Sequence, residues 1–134
     1  MIVPNRSHIT VLAIDYEKNA LAQLSEVLGG AGYLCHCARD AGAAAKAVRR
    51  ARPDLIISDI NLAGYDGLTI CEQLKHDAGL DHVPVMFLSA AQAVDVMRRS
   101  HAVGGTYYLR KPFDAAVLLE LVARSLPLPH LSRS

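Results

Sequence analysis

The sequence predicts an α/β fold of one domain: a doubly wound, five-stranded parallel sheet held between helices in three layers. Three observations carry this. Short apolar runs rich in β-branched residues alternate five times with segments of helical spacing. The runs are continuously apolar, the pattern of strands buried on both faces. A chain of 134 residues suits one domain and can bury a core without disulfides or metal. Crossovers between such strands are right-handed.

The first run, residues 9–14 (ITVLAI), is too short for a helix and rich in strand formers. A helical pattern follows, with Leu21, Leu24, Val27 and Leu28 on one face, and it stops at Gly29-Gly30. The second strand covers residues 33–37. Residues 40–50 are alanine-rich and helical, with Asp40 as N-cap. Pro53 ends that region before the third strand, residues 55–58 (LIIS). The loop through Ala63, Gly64 and Tyr65 leads to Asp66, a second N-cap candidate, and to a helix that carries Leu68, Cys71 and Leu74 on one face. The fourth strand, residues 83–88, is entered through Pro84, which a strand start tolerates. A weaker helical pattern spans residues 92–101, before Gly104-Gly105. The fifth strand is residues 106–109, and a last helix after Pro112 packs Val117, Leu118, Leu121 and Val122.

Composition narrows the function. Hydrophobic residues make up 51% and charged residues 20%, ordinary for a globular protein, and the net charge is +1. No basic surface points to direct nucleic-acid binding. No apolar run approaches a membrane span, and MIVPNRSH lacks the apolar core of a signal peptide. The three cysteines, Cys35, Cys37 and Cys71, read as reduced thiols of a cytoplasmic chain. Cys35-His36-Cys37 reads as a buried strand rather than a metal site, because no second ligand pair has structural-zinc spacing. Residues 1–7 read as an N-terminal extension, residues 8–126 as the domain, and residues 127–134 as a tail or linker stub.

In open sheets of this kind ligands sit at the carboxyl ends of the strands, where strand order reverses. The residues just past the apolar runs are Asp15, Asp59, Ser89 and Lys111. Alone, Asp15 reads as an N-cap or turn former. Together they place two carboxylates, a hydroxyl and an ammonium at one rim. A carboxylate can attack phosphorus and form an acyl phosphate. Phosphoryl transfer needs charge neutralisation above all, from a divalent cation held by carboxylates, carbonyl and water. A lysine pairs with phosphoryl oxygens as a point charge.

Three segments resemble those of response regulator receiver domains of two-component signalling: PDLIISDINLAGYDGL at residues 53–68, VPVMFLSA at 83–90 and YYLRKPF at 107–113. The resemblance implies a flavodoxin-like (βα)5 fold with strand order 2-1-3-4-5. By position it implies that Asp59 is the phosphoacceptor and that Asp15, Asp59 and the main-chain carbonyl of Asn61 hold Mg2+. It makes Lys111 the phosphate-pairing lysine, Ser89 the switch hydroxyl and Tyr108 the aromatic switch. Tyr108 also suits a core aromatic of the fifth strand. The implied partners are a sensor histidine kinase or phosphotransfer protein upstream and a downstream protein or fused output domain. A homodimer through the fourth and fifth helices stays open. No enzymatic activity is implied beyond self-phosphorylation and self-dephosphorylation.

Two positions depart from that pattern. Tyr16 follows Asp15 where the family carries a second acid. Tyrosine is neutral at pH 7, so the expected Mg2+ site loses a charge and a hard oxygen. Glu17 reads as an ordinary first-turn acid, with compensation for Tyr16 as the alternative. Ala63 stands where the family often has proline, which predicts a slightly looser loop. Tyr16 also supports a second reading, a phosphorylation-independent pseudo-receiver that acts as a protein-interaction module. A third, an aspartate-nucleophile phosphohydrolase suggested by Asp15-Tyr16-Glu17, is set against the better match around Asp59 and the short chain.

Overall fold

The computed structural model describes residues 9–90 and 105–126. Its elements are β1 (Thr10–Ile14), α1 (Lys18–Gly30), β2 (Leu34–Ala38), α2 (Ala41–Arg50), β3 (Leu55–Asp59), α3 (Gly67–Ala78), β4 (Val85–Ser89), β5 (Gly105–Arg110) and α4 (Ala115–Ser125). The helix expected over residues 92–101 lies outside the described residues. The five strands form one parallel sheet in the order β2-β1-β3-β4-β5. Each lies within a residue or two of where its apolar run predicts it.

Side chains alternate across a strand, so each central strand feeds two cores. Leu12, Ile14, Ile56 and Phe87 face one side and meet Ala44 and Val48 of α2 and Leu68, Cys71 and Leu74 of α3. Val11, Ala13, Ile57, Met86 and Leu88 face the other and meet Leu21, Leu24 and Leu28 of α1 and Leu118 and Val122 of α4. Each large apolar side chain buried this way contributes roughly 1.5–3 kcal/mol. Three of the four described helix starts are fixed by capping carboxylates. Asp40 accepts from the Ala43 N–H (2.8 Å), Asp66 from Leu68 (3.0 Å), and Asp114 from Ala116 and Val117 (2.8 and 3.1 Å).

Four details differ from the sequence expectations. β2 is an edge strand paired only with β1, so Leu34, His36 and Cys37 are exposed rather than buried. Val117 is 42% exposed, because α4 turns Leu118 and Val122 inward and leaves its neighbour a third of a turn away. Glu17 is the N-cap residue of α1, exposed and without a side-chain capping bond. The loop after β3 is not simply looser. Asn61–Leu62 pairs antiparallel with Tyr65–Asp66, and the two residues between, Ala63 and Gly64, have φ of 55° and 91°. Positive φ at both central residues marks a type I′ hairpin turn. A proline, fixed near −65°, could not enter it.

The thiols divide by burial. Cys71 is buried under α3, which pushes its thiol up to about 11. Burial, and then the neighbouring Cys37, pushes Cys35 up to about 12. Cys37 is exposed. Since the thiolate is the reactive form, an aromatic disulfide reagent at neutral pH is expected to modify exposed Cys37 first, half-buried Cys35 more slowly, and Cys71 only as the chain opens. A fast phase that survives Cys37→Ser would contradict this assignment.

Candidate functional site

Parallel register builds the site. Ile14 of β1 lies opposite Ser58 of β3, which sets the next residues, Asp15 and Asp59, side by side at the carboxyl end of the sheet. Asp59 lies opposite Leu88, and Ser89 opposite Arg110. Ser89 and Lys111 therefore emerge at the same rim. The Lys111 N–H donates to the Ser89 carbonyl (2.8 Å), carrying the ladder one residue past β5. The Lys111–Pro112 peptide is cis.

The side chains then converge. The Lys111 ammonium donates to Oδ2 of Asp15 and to Oδ2 of Asp59, each at 2.6 Å. Asp15 is fully buried and Asp59 is 7% exposed. Their other oxygens accept main-chain N–H groups: Asp15 Oδ1 from Glu17 (3.0 Å) and Asp59 Oδ1 from Asn61 (2.7 Å). Asp15 thus serves both as the turn former and as a member of the cluster. Burial pushes the Lys111 ammonium down, but its hydrogen bonds to Asp15 and Asp59 and their charges outweigh that, and its pKa is raised. A cleft of about 330 Å³ opens beside Lys111 towards Ala20 and Leu24 of α1 and Phe113.

Of the other expected site residues, Ser89 ends β4 buried. Asn61 lies exposed just past Asp59. Tyr108 is half-buried on β5 against the core shared with α2 and α3. Tyr16 is 38% exposed at the rim. Gly67 was not singled out by sequence, although Asp66-Gly67 is a turn pair. Its N–H donates to the Ile60 carbonyl (2.6 Å), and an added Cβ would lie 2.1 Å from the Asp59 carbonyl oxygen.

One ammonium against two buried carboxylates leaves a net negative charge, and the nearby donors are hard oxygens, the set that suits Mg2+. Among the described residues no group of three or more His, Cys, Asp or Glu could hold a metal. The chemistry fits the cation, with two carboxylates rather than three.

Comparison with known proteins agrees with this fold. Residues 11–123 match the family described as response regulator receiver domain. The DNA-binding response regulator MtrA of Mycolicibacterium smegmatis is 36% identical over 115 residues, 85% of this chain and 47% of the relative. The DNA-binding transcriptional regulator NtrC of Escherichia coli is 29% identical over 87% of this chain and 24% of its own length. The chain thus spans about half or less of these curated relatives. The chemotaxis protein CheY4 of Vibrio cholerae superposes with a TM-score of 0.83 at 30% identity, covering 88% of this chain and 98% of that one. Receiver domains are signalling modules of two-component systems, in which phosphorylation and Mg2+ binding are typical. With the expected strand order in place and the family match running over residues 11–123, the chain belongs to the response regulator receiver domain family.

Proposed function

We propose that this receiver accepts a phosphoryl group on Asp59 from a histidine kinase or phosphotransfer protein and thereby switches partner binding. The observation that carries the reading is the convergence of Asp15 and Asp59 on the Lys111 ammonium at 2.6 Å each. A carboxylate oxygen of Asp59 attacks the phosphorus of a donor phosphohistidine. The P–N bond breaks as the P–O bond forms, and the imidazole nitrogen leaves with the electron pair and takes up a proton. Lys111 then exchanges Asp59 for a phosphoryl oxygen. Asp15, Asp59 and the Asn61 carbonyl would hold Mg2+, which supplies charge neutralisation at the phosphoryl oxygens.

Ser89 turns its hydroxyl to the phosphoryl group, and Tyr108 follows. The face that includes β5 and α4 thereby changes its affinity for a downstream protein or fused output domain. Such a switch requires contacts that differ between the two states. We assign the receiver unit to residues 8–126, with residues 1–7 and 127–134 as flanks, acting in the cytoplasm without direct contact to nucleic acid or membrane.

Tyr16 favours one competing reading, a pseudo-receiver that binds partners without phosphorylation. Incubation with a small-molecule phosphoryl donor, with and without Mg2+, separates the two by mass. Gain of one phosphoryl group only with Mg2+ supports the switch. No gain in a folded protein supports the interaction module. Restoring the acid tests the metal side directly. Tyr16→Asp is expected to lower the Mg2+ dissociation constant about tenfold, through one added charge and one hard ligand. An unchanged affinity would place position 16 away from the cation.

A further inference from the structure

The loop between β1 and α1 is gripped by Arg39, the residue just past β2, through the Tyr16–Glu17 peptide. The Arg39 Nε–H donates to the Tyr16 carbonyl at 3.0 Å. The N–H of that same peptide, on Glu17, donates to Asp15 Oδ1 at 3.0 Å. Among the described residues only Lys111–Pro112 is cis, so the Tyr16–Glu17 peptide is trans and planar, with its C=O and N–H pointing in opposite directions. A donor that fixes the carbonyl therefore fixes the N–H. With Oδ1 of Asp15 held, Oδ2 is left aimed at Lys111, 2.6 Å away. The chain entry to this loop is tied to the same place, since the Asp15 N–H donates to the carbonyl of Ala38, the residue before Arg39.

We infer that Arg39 is a positioning residue, which sets the orientation of the Asp15 carboxylate through the Tyr16–Glu17 peptide. The inference deepens the proposed cation role of Asp15 and rests on that reading. It makes an opposite prediction from simple electrostatics. A guanidinium that acted only as a charge would repel Mg2+, so its removal would tighten binding. A guanidinium that orients Asp15 helps binding, so its removal weakens it.

The test uses the full chain with Arg39→Ala and Arg39→Lys, the second keeping a cationic donor. Two quantities are read by NMR: amide hydrogen exchange of Glu17 without metal, and the Mg2+ dissociation constant. Loss of one hydrogen bond of ordinary strength predicts that Arg39→Ala speeds Glu17 exchange about fivefold and weakens Mg2+ binding by a similar factor. Arg39→Lys is expected to stay within about twofold of wild type in both. Unchanged Glu17 exchange in Arg39→Ala, tighter Mg2+ binding in it, or failure of Arg39→Lys to rescue would each overturn the inference. If wild type binds no Mg2+ at all, the cation reading of the site falls, while Glu17 exchange still decides the role of Arg39.

Discussion

Asp59→Asn is expected to abolish phosphoryl incorporation while leaving the fold intact. The amide that replaces the carboxylate is neutral and a poor nucleophile, so no acyl phosphate forms. The frame around it survives. The Asn61 N–H that now meets Asp59 Oδ1 at 2.7 Å can meet an amide oxygen as well. Lys111 keeps Asp15 at 2.6 Å, so the ammonium is not left buried and alone. The expected drop is at least on the order of a thousandfold, the scale of losing an essential nucleophile. Intact-protein mass after incubation with a small-molecule phosphoryl donor and Mg2+ checks it, with circular dichroism as the control for folding. Phosphoryl gain at wild-type level in Asp59→Asn would remove Asp59 from the acceptor role.

The strands and the rim residues were legible because they follow from local composition and one topological rule, while the strand order came only with the family resemblance. Continuous apolar runs mark parallel strands, and polar residues just past them mark the carboxyl edge. What sequence could not show depends on the third dimension. LCHCA has the composition of a central strand, and only its place at the end of the sheet exposes Leu34, His36 and Cys37. The replacement of proline by Ala63 was visible, but the positive φ it permits was not, since backbone angles leave no spacing pattern. The Arg39 tether links positions 23 residues apart through a main-chain carbonyl, an acceptor every residue carries. The last helix was placed after Pro112, where it does begin, but its cap, Asp114, was not singled out.

Gly67→Ala is expected to produce a large loss of stability, and to disturb the site with it. Gly67 opens α3, and its N–H is drawn to the Ile60 carbonyl at 2.6 Å. A Cβ there would lie 2.1 Å from the Asp59 carbonyl oxygen and 2.9 Å from that of Ile60. Both obstacles are backbone, so no side-chain rotation relieves them. Either α3 retreats, loosening Leu68, Cys71 and Leu74 in the core, or the end of β3 moves and takes the Asp59 carboxylate off Lys111. Overpacking against a fixed backbone costs about 3 kcal/mol or more, a fall in Tm of roughly 10 °C for a domain of this size. Two other glycines calibrate the effect. At Gly42, in the first turn of α2, a Cβ would meet only the Asp40 side chain at 3.6 Å, so Gly42→Ala is expected to gain a few tenths of a kcal/mol, less than the roughly 0.5–1 kcal/mol of a helix interior. At Gly64, φ is +91° but the space is open, so Gly64→Ala is expected to cost only about 1–2 kcal/mol of backbone strain. Thermal melts of the three variants should rank Gly42→Ala above Gly64→Ala, and Gly67→Ala last. A Gly67→Ala chain that melts with wild type and still accepts a phosphoryl group would show that the close approach of α3 to Asp59 is not needed for either.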